Sequence, residues 1–429
     1  MKILLLISEM WNDKVYPNNN LTNWFSGFQG VEIATISGGS GKPYNDCCKK
    51  YFQITDKMMA KSILSRKKAG VELIADQNKD EAAISRPKKN KIHCESARLL
   101  RDMVWRFGRY DLTALKKFID DFAPDIIFSQ RMGSIKMCRL EKVVCSLTDA
   151  PIVAYTGDDE YSLKRLSFNP IFWLRRFWVR AWLKRQIPTY DIYYSMSEEQ
   201  MSVYQRKFGV ETKFLVKCGE FDAQRVHTTV NAPIVITYAG KLYCGRWKTL
   251  CLIADAIKSV NADGVKIVLN VYTGDKVSKK QRRKLDDGIN SHLHGYVSAE
   301  ELKKIYSESD IALHVESFGL RQRLITKYSF STKIMDCLSC GCAAMAVCHN
   351  SQAGFRYLKE NDVAFTADGK KEIDSMLKGI ADNPQSVIDY AQKAYELGKE
   401  HHSRDKVQRD ILNDFVSVVE KKKNENSAD

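Results

Sequence analysis

The sequence contains no run of eighteen apolar residues, and the longest apolar stretch near its start, Ile3 to Ile7, is cut off by Ser8, Glu9, Asn12 and Asp13. A bilayer span needs about twenty such residues, so neither a transmembrane helix nor a cleavable export signal is expected. There is no internal repeat of solenoid length. RNP-type, zinc-finger and helix-turn-helix signatures are missing, so nucleic acid is not an expected partner. Cys337, Cys340 and Cys342 have no fourth ligand at zinc-site spacing; they read as small buried residues at a helix end, and no metal is expected. With no export signal, the twelve cysteines spread along the chain read as reduced thiols in a cytoplasm.

What is present is enough for two cores. Chains of 429 residues usually divide into two or three domains, and 44% hydrophobic with 28% charged residues supplies both an interior and a solvated surface. The formal charge of +15 favours an anionic partner: phosphate, nucleic acid or acidic lipid headgroups.

Strand-like runs separated by helical stretches occur at Lys2–Ser8, Val31–Ser37, Pro124–Gln130, Pro151–Gly157, Asp191–Ser197 and Thr212–Cys218. The alternation restarts at Pro233–Gly240, Val265–Gly274, Ser309–Glu316, Cys342–Cys348 and Asp362–Thr366. These runs are nearly all apolar, as expected of parallel strands covered by helices on both faces. The fold class is therefore α/β, with two Rossmann-like doubly wound domains. We expect them at residues 1–222 and 232–395, joined near 219–232, with a C-terminal helix at 400–420 packing back on the first. Lys57 to Lys91 reads as a helix followed by a solvated connection around Arg86 to Asn90, and Lys421 to Asp429 as a polar, frayed end.

In such sheets ligands lie beyond the carboxyl ends of the strands. Three places in the second half carry suitable chemistry. At Tyr238 to Arg246 a strand ends in Gly240, which lets the backbone approach a ligand, and the cations Lys241 and Arg246 could neutralise a departing diphosphate. At Ser329 to Gly341 a helix capped by Ser331 would offer free N–H groups with Thr332 and Lys333 to phosphate, and Asp336 a carboxylate to a ribose diol. At Ser309 to Leu320 a strand ends in Glu316, which could hold sugar hydroxyls or cap a helix.

Together these segments resemble the donor domain of glycosyltransferase family 4, retaining enzymes of the GT-B fold in which two such domains face each other across a cleft. Gly240, Lys241 and Leu242 match that family's pyrophosphate-binding segment, with Arg246 one position early. Glu316-Ser317-Phe318-Gly319-Leu320 is similar to its E-G-F-G-L segment, and Asp336 to the acid that holds the ribose. Gly274 and Tyr296 resemble further donor positions, the latter near the base. Two departures stand out. The two acids of the family's pattern are pushed far apart, with Arg321 to Tyr328 forming part of an inserted loop, and the second acid is Asp336 rather than Glu; position 328, where strict spacing would put the first acid, is Tyr. The resemblance runs from Ile234 to about Val363; over the first half only the strand layout supports it.

In the first half, Ser8 to Asn12 and Asn18 to Trp24 would place Asn and Trp side chains after strands, suited to sugar hydroxyls and faces or to turns and core packing. Tyr155 to Tyr161 carries an acidic cluster in which Asp158 or Asp159 could orient an acceptor hydroxyl, or form an ordinary acidic turn. Leu163 to Ile187 holds seven Lys and Arg and no acid, interleaved with Phe168, Phe172, Trp173, Phe177, Trp178 and Trp182. Basic residues around an aromatic face suit an anionic bilayer; a helix packed on the sheet with snorkelling arginines gives the same pattern.

What the resemblance implies is glycosyl transfer with retention, from a nucleoside-diphosphate sugar (UDP or GDP) to a saccharide or lipid-linked saccharide in cell-surface polysaccharide assembly, such as capsule or lipopolysaccharide. Lys241, Arg246, Glu316 and Asp158 would act in catalysis, and Gly240, Gly274, Tyr296, Ser331, Thr332, Lys333 and Asp336 in donor binding, without cofactor or metal. An aromatic-lined cleft should close on the donor. The expected location is cytoplasmic and peripheral on the inner membrane face. The rivals are a non-hydrolysing sugar-nucleotide 2-epimerase and a non-catalytic, membrane-associated binding partner.

Overall fold

The structure, a computed structural model, describes residues 1–16, 19–65, 67–74 and 94–428. Asn18 and the connection at Arg86 to Asn90 lie outside the described residues. The chain divides into two compact units, residues 1–215 with 408–429, and residues 216–407.

The first unit is built on an eight-stranded sheet: β1 (Lys2–Ile7), β2 (Glu32–Ser37), β3 (Lys50–Gln53), β4 (Val71–Ile74), β5 (Ile126–Arg131), β6 (Ile152–Thr156), β7 (Ile192–Ser195) and β8 (Thr212–Phe214). Their order is β4-β3-β2-β1-β5-β6-β7-β8, parallel throughout except for antiparallel β4 at one edge. β1 after Lys2 and β6 up to Thr156 are continuous apolar runs because both faces of a parallel sheet are covered. Beyond the six strands expected, β3 and β4 are four-residue additions, so the Lys57–Lys91 stretch contains an edge strand after its helix, Asp56–Leu64.

A buried ion network closes the end of β5. The Arg131 guanidinium contacts Glu141 at 2.6 Å and Glu160 at 3.2 Å, and Glu141 also accepts from Tyr190 at 2.8 Å and Ser129 at 2.6 Å. One cation thus faces two buried carboxylates. Burial pushes the Glu160 carboxyl up to about 6, against the pull of Arg131.

The last helix, Arg404–Ala428, enters the first unit at Gln408. The Gln408 side chain donates to the carbonyls of Trp24 and Ser26 at 3.0 and 2.8 Å. Asp414 accepts from Tyr194 at 2.8 Å and pairs with Lys213 at 2.5 Å, while Phe415 is buried against Phe25 and Phe128.

The second unit carries a fully parallel six-stranded sheet: β9 (Ile234–Ala239), β10 (Ile267–Tyr272), β11 (Ser291–His294), β12 (Ile311–Val315), β13 (Ala343–Val347) and β14 (Ala364–Ala367). The order β11-β10-β9-β12-β13-β14 reverses direction between β9 and β12, which leaves a crevice at their carboxyl ends. Strand β11 was not anticipated, since Ser-His-Leu-His is short and half polar.

Residues 219–232, expected as a joint, belong to this unit. Gly219 bridges to Ser403, Phe221 packs on Tyr395, and Asn231 hydrogen-bonds to Asp310 at 3.0 Å. Apolar and polar contacts fix the segment as a strap on the sheet. The division accordingly falls at 215/216 and 407/408 rather than at 222, 232 and 395.

Glu160 gives this fold a pH signature. A carboxyl raised in the folded state binds its proton before the unfolded chain does, so stability rises as pH falls from about 6 toward 4.5. Denaturant unfolding across that window should show this slope, and Glu160→Gln should flatten it.

Candidate functional site

The crevice at the β9/β12 reversal is where the charges gather. β9 runs into the loop Gly240–Gly245, and the helix Arg246–Val260 follows. Cys244 and Gly245, at φ 57° and 82°, turn the chain through two left-handed positions, and a Cβ on Gly245 would lie 2.6 Å from the Ser317 hydroxyl. The turn delivers Arg246 to the end of β12. There its guanidinium grips Glu316 with both carboxylate oxygens, at 3.1 and 2.5 Å. Glu316 is held in turn through its backbone: its N–H donates to Val347 and its carbonyl accepts from Thr249 at 2.8 Å.

Lys333 reaches the same place from the helix Thr332–Ser339. Its ammonium lies 4.5 Å from the Tyr238 ring centre and 3.2 Å from the Tyr238 hydroxyl, which donates to the Lys241 carbonyl at 2.7 Å. A side chain at Gly240 would collide with the Lys333 ammonium, so glycine is what admits it. Lys241 is exposed, with its ammonium 5.5 Å from the Tyr243 ring; Arg246 is 5.4 Å from that ring. Gly240, Lys241, Arg246, Glu316 and Lys333 therefore share one site.

Its electrostatics follow from crowding cations at a partly dry crevice. Burial, helped by the Arg246 charge, lowers the Lys333 ammonium to about 8, and Glu316 opposes that shift. Burial would also depress Arg246, but its hydrogen bonds and ion pair with Glu316 hold it above the ordinary guanidinium value. On β12, burial and then the charges of Lys333 and Arg246 push His314 down to about 3, so its ring is neutral. Three residues here escaped the sequence reading: Tyr238, His314, and Asp275, whose carboxylate accepts from the Leu242 N–H at 2.7 Å and ties the β10 loop to the β9 loop. An acid just past a strand end was the available signal for Asp275.

Of the other expected residues, Asp336 is near enough to raise the Lys333 ammonium. Ser331 occupies the N-cap position, but its hydroxyl makes no cap hydrogen bond, contrary to the capped helix expected. Thr332 is exposed, and Asp336 forms an ion pair with Lys217 at 2.9 Å. Gly274 backs onto Tyr296, whose ring a Cβ at 274 would meet at 3.3 Å; Tyr296 is otherwise exposed. The inserted stretch after Glu316 is largely a short helix, Leu320–Thr326, rather than a loop. Cys337 and Cys342 are buried free thiols. Among the described residues no group of three or more His, Cys, Asp or Glu is placed to hold a metal.

In the first unit the aromatic residues that suited sugar faces or core packing alike are core. Trp11 and Trp24 are fully buried, Trp11 donating to the Thr22 hydroxyl at 2.8 Å and Trp24 packing edge-on to Tyr155. Of the acidic cluster, Glu160 belongs to the Arg131 network, and buried Asp159 accepts from the Ser162 N–H and pairs with Arg165 and Arg176. Asp158 alone among these three is exposed.

The basic aromatic segment forms the helix Pro170–Gln186. Its arginines turn inward: Arg175 pairs with buried Asp102 at 2.6 Å, Arg176 donates to the Ser162 carbonyl at 2.6 Å, and Arg180 to the Tyr161 carbonyl at 2.6 Å. Trp178 and Trp182 pack on the core. The expected outward face of tryptophans flanked by these arginines is therefore not the one the helix presents. No helix among the described residues is long and apolar enough to cross a membrane.

The glycosyl transferase-like family matches residues 251–413, a stretch that includes Glu316 and Lys333 but covers less than half of the chain. No curated protein matches. Among solved structures, Anabaena Alr3699/HepE in complex with UDP is similar at a TM-score of 0.62 and 11% identity, over 97% of this chain and 100% of that one. The α,α-trehalose 6-phosphate synthase of Burkholderia multivorans is similar at 0.58 and 9%, over 97% and 99%. The sucrose-phosphate synthase of Thermosynechococcus elongatus is similar at 0.58 and 11%, over 97% and 99%. The fold is that of the GT-B glycosyltransferases, and the second unit carries all but the last few residues of the glycosyl transferase-like segment.

The charge cluster makes a signed prediction. Because Glu316 raises and Arg246 lowers the Lys333 ammonium, Glu316→Gln should move its titration below about 8, and Arg246→Gln should move it above. The pH dependence of amine acylation at Lys333, read by mass spectrometry, measures both shifts.

Proposed function

We propose that this chain is a glycosyltransferase that moves a sugar from a nucleoside-diphosphate donor to a saccharide or lipid-linked saccharide acceptor, with retention, in cell-surface polysaccharide assembly such as capsule or lipopolysaccharide. The observation that carries the reading is the meeting of Arg246, Lys333 and Lys241 with Glu316 at the β9/β12 reversal, the place where an open parallel sheet binds its ligand. The UDP and UDP-glucose bound in the HepE structures favour UDP over GDP as the donor nucleotide.

In this reading Arg246, Lys333 and Lys241 stabilise the diphosphate as the glycosidic bond breaks and negative charge develops on it. The N-terminal turn of the Thr332–Ser339 helix, with Ser331 and Thr332, adds N–H and hydroxyl donors to the phosphates. Glu316 accepts from sugar hydroxyls, Asp336 from the ribose, and Tyr296, standing over Gly274, lies near the base. Asp158 orients the acceptor hydroxyl. No metal or other cofactor is invoked. Because Glu316 and Arg246 hold each other, the incoming diphosphate must take the place of Glu316 on the guanidinium, which frees the carboxylate for the sugar.

Thermal unfolding with UDP, GDP, ADP and CMP sugars tests the donor. A bound nucleotide at a hundred times its dissociation constant adds about 2.7 kcal/mol of stability, and UDP or GDP is expected to do so. Arg246→Ala should lower transfer on the order of a hundredfold, beyond any loss that follows from the lower melting temperature of a chain whose Glu316 is left unpaired. Conversion of donor to an epimer without acceptor would instead favour a sugar-nucleotide 2-epimerase. Unchanged cellular polysaccharide in the Lys241→Ala, Arg246→Ala double variant would favour a non-catalytic partner.

A further inference from the structure

In the first unit two helices form an outer layer: Glu95–Phe107, which the sequence did not single out, and Pro170–Gln186. Beneath them lies the helix Ile135–Cys145, whose Arg139 donates to the Gly108 carbonyl at 2.8 Å, and whose Cys138 carbonyl accepts from Gln186 at 2.5 Å. The two outer helices are joined by Arg175, which bonds Asp102 at 2.6 Å and lies 3.9 Å from Glu95. That contact disposes of every acid the pair possesses. Asp102 is buried and Glu95 nearly so, and the segment 161–186 contains no acid at all.

What faces outward is therefore apolar and cationic. Leu100, Met103 and Phe107, at spacings of three and four, lie opposite buried Trp105, and Leu174 and Phe177 lie opposite buried Val179 and Leu183. Phe168, in the turn before the second helix, is 98% exposed. Single exposed apolar residues need no explanation; six large ones on two packed helices and the turn beside them do. Between and beside them stand Arg106, Lys164, Lys184 and Arg185, all exposed, and among the described residues no carboxylate pairs with any of them.

We infer that this two-helix face docks on an anionic lipid bilayer. The apolar side chains enter the headgroup boundary, and the unpaired cations meet acidic headgroups. The inward turn of Arg175, Arg176 and Arg180 separates the cations that build the unit from those left for the surface. A protein partner would bring its own pattern of donors and acceptors, whereas this face offers only apolar knobs and one sign of charge. The inference rests on the first unit alone and stands whether or not the donor site acts as proposed.

Co-sedimentation of the full chain with vesicles tests it, using phosphatidylcholine alone and phosphatidylcholine with roughly one-third phosphatidylglycerol. Binding is expected only to the anionic vesicles and should weaken as salt is raised, since exposed charges are screened within about 10 Å at 0.1 M. Lys184→Gln with Arg185→Gln should weaken it by roughly thirtyfold. Phe168→Ser with Phe177→Ser should abolish it, with the melting temperature showing that each variant remains folded. Equal binding to neutral vesicles, no binding to anionic ones, or binding that survives both double variants would overturn the assignment. So would self-association that the same variants remove in the absence of lipid, which would assign the face to a second copy of the chain.

Discussion

The Arg246–Glu316 pair is the interaction on which the second unit's chemistry turns. A helix start and a strand end on either side of the sheet reversal are clamped by two hydrogen bonds, and around them stand cations that would otherwise repel one another. Partly buried, the pair is not a surface ornament; removing one partner would leave the other charge uncompensated in a poorly solvated crevice. The same carboxylate acts on Lys333, partly offsetting the lowering of its ammonium by burial and by Arg246.

The packing around the pair is arranged to keep it in place. Gly240 makes room for the Lys333 ammonium, Gly245 turns the chain so that Arg246 opens a helix at the right point, and Thr249 holds the Glu316 backbone. Asp275 fixes the neighbouring loop through the Leu242 N–H. A site that binds a doubly charged diphosphate needs cations set before the ligand arrives, because reorganising them afterwards would consume binding energy. A resident carboxylate resolves the resulting repulsion in the free protein and is exchanged for phosphate in the proposed reaction.

Much of the fold was legible because buried parallel strands are written as apolar runs, and β1, β6, β9 and β13 are such runs. β3, β4 and β11 were not, since four residues with Lys, Gln, Glu or His carry too little pattern. Gly240 and Arg246 were readable as a glycine and a cation after a strand. That Arg246 would meet Glu316, seventy residues on, is a fact of sheet order and not of local sequence. The first unit gave the opposite lesson. Trp11, Trp24 and the arginines at 175, 176 and 180 look available in the sequence, yet the tryptophans are core and the arginines are spent on Asp102 and on backbone carbonyls. Aromatic and cationic residues serve interior and surface alike, and only their partners decide which.

In the proposed reaction Glu316 occupies Arg246 until a diphosphate displaces it. Calorimetric titration of UDP and UDP-glucose into the unaltered chain and into Glu316→Gln tests it most directly. The neutral variant is expected to bind UDP more tightly, because the guanidinium is freed, while UDP-glucose loses its advantage over UDP, because the sugar contact is gone. UDP affinity that is unchanged or weaker in Glu316→Gln, beside measurable binding to the unaltered chain, would contradict it.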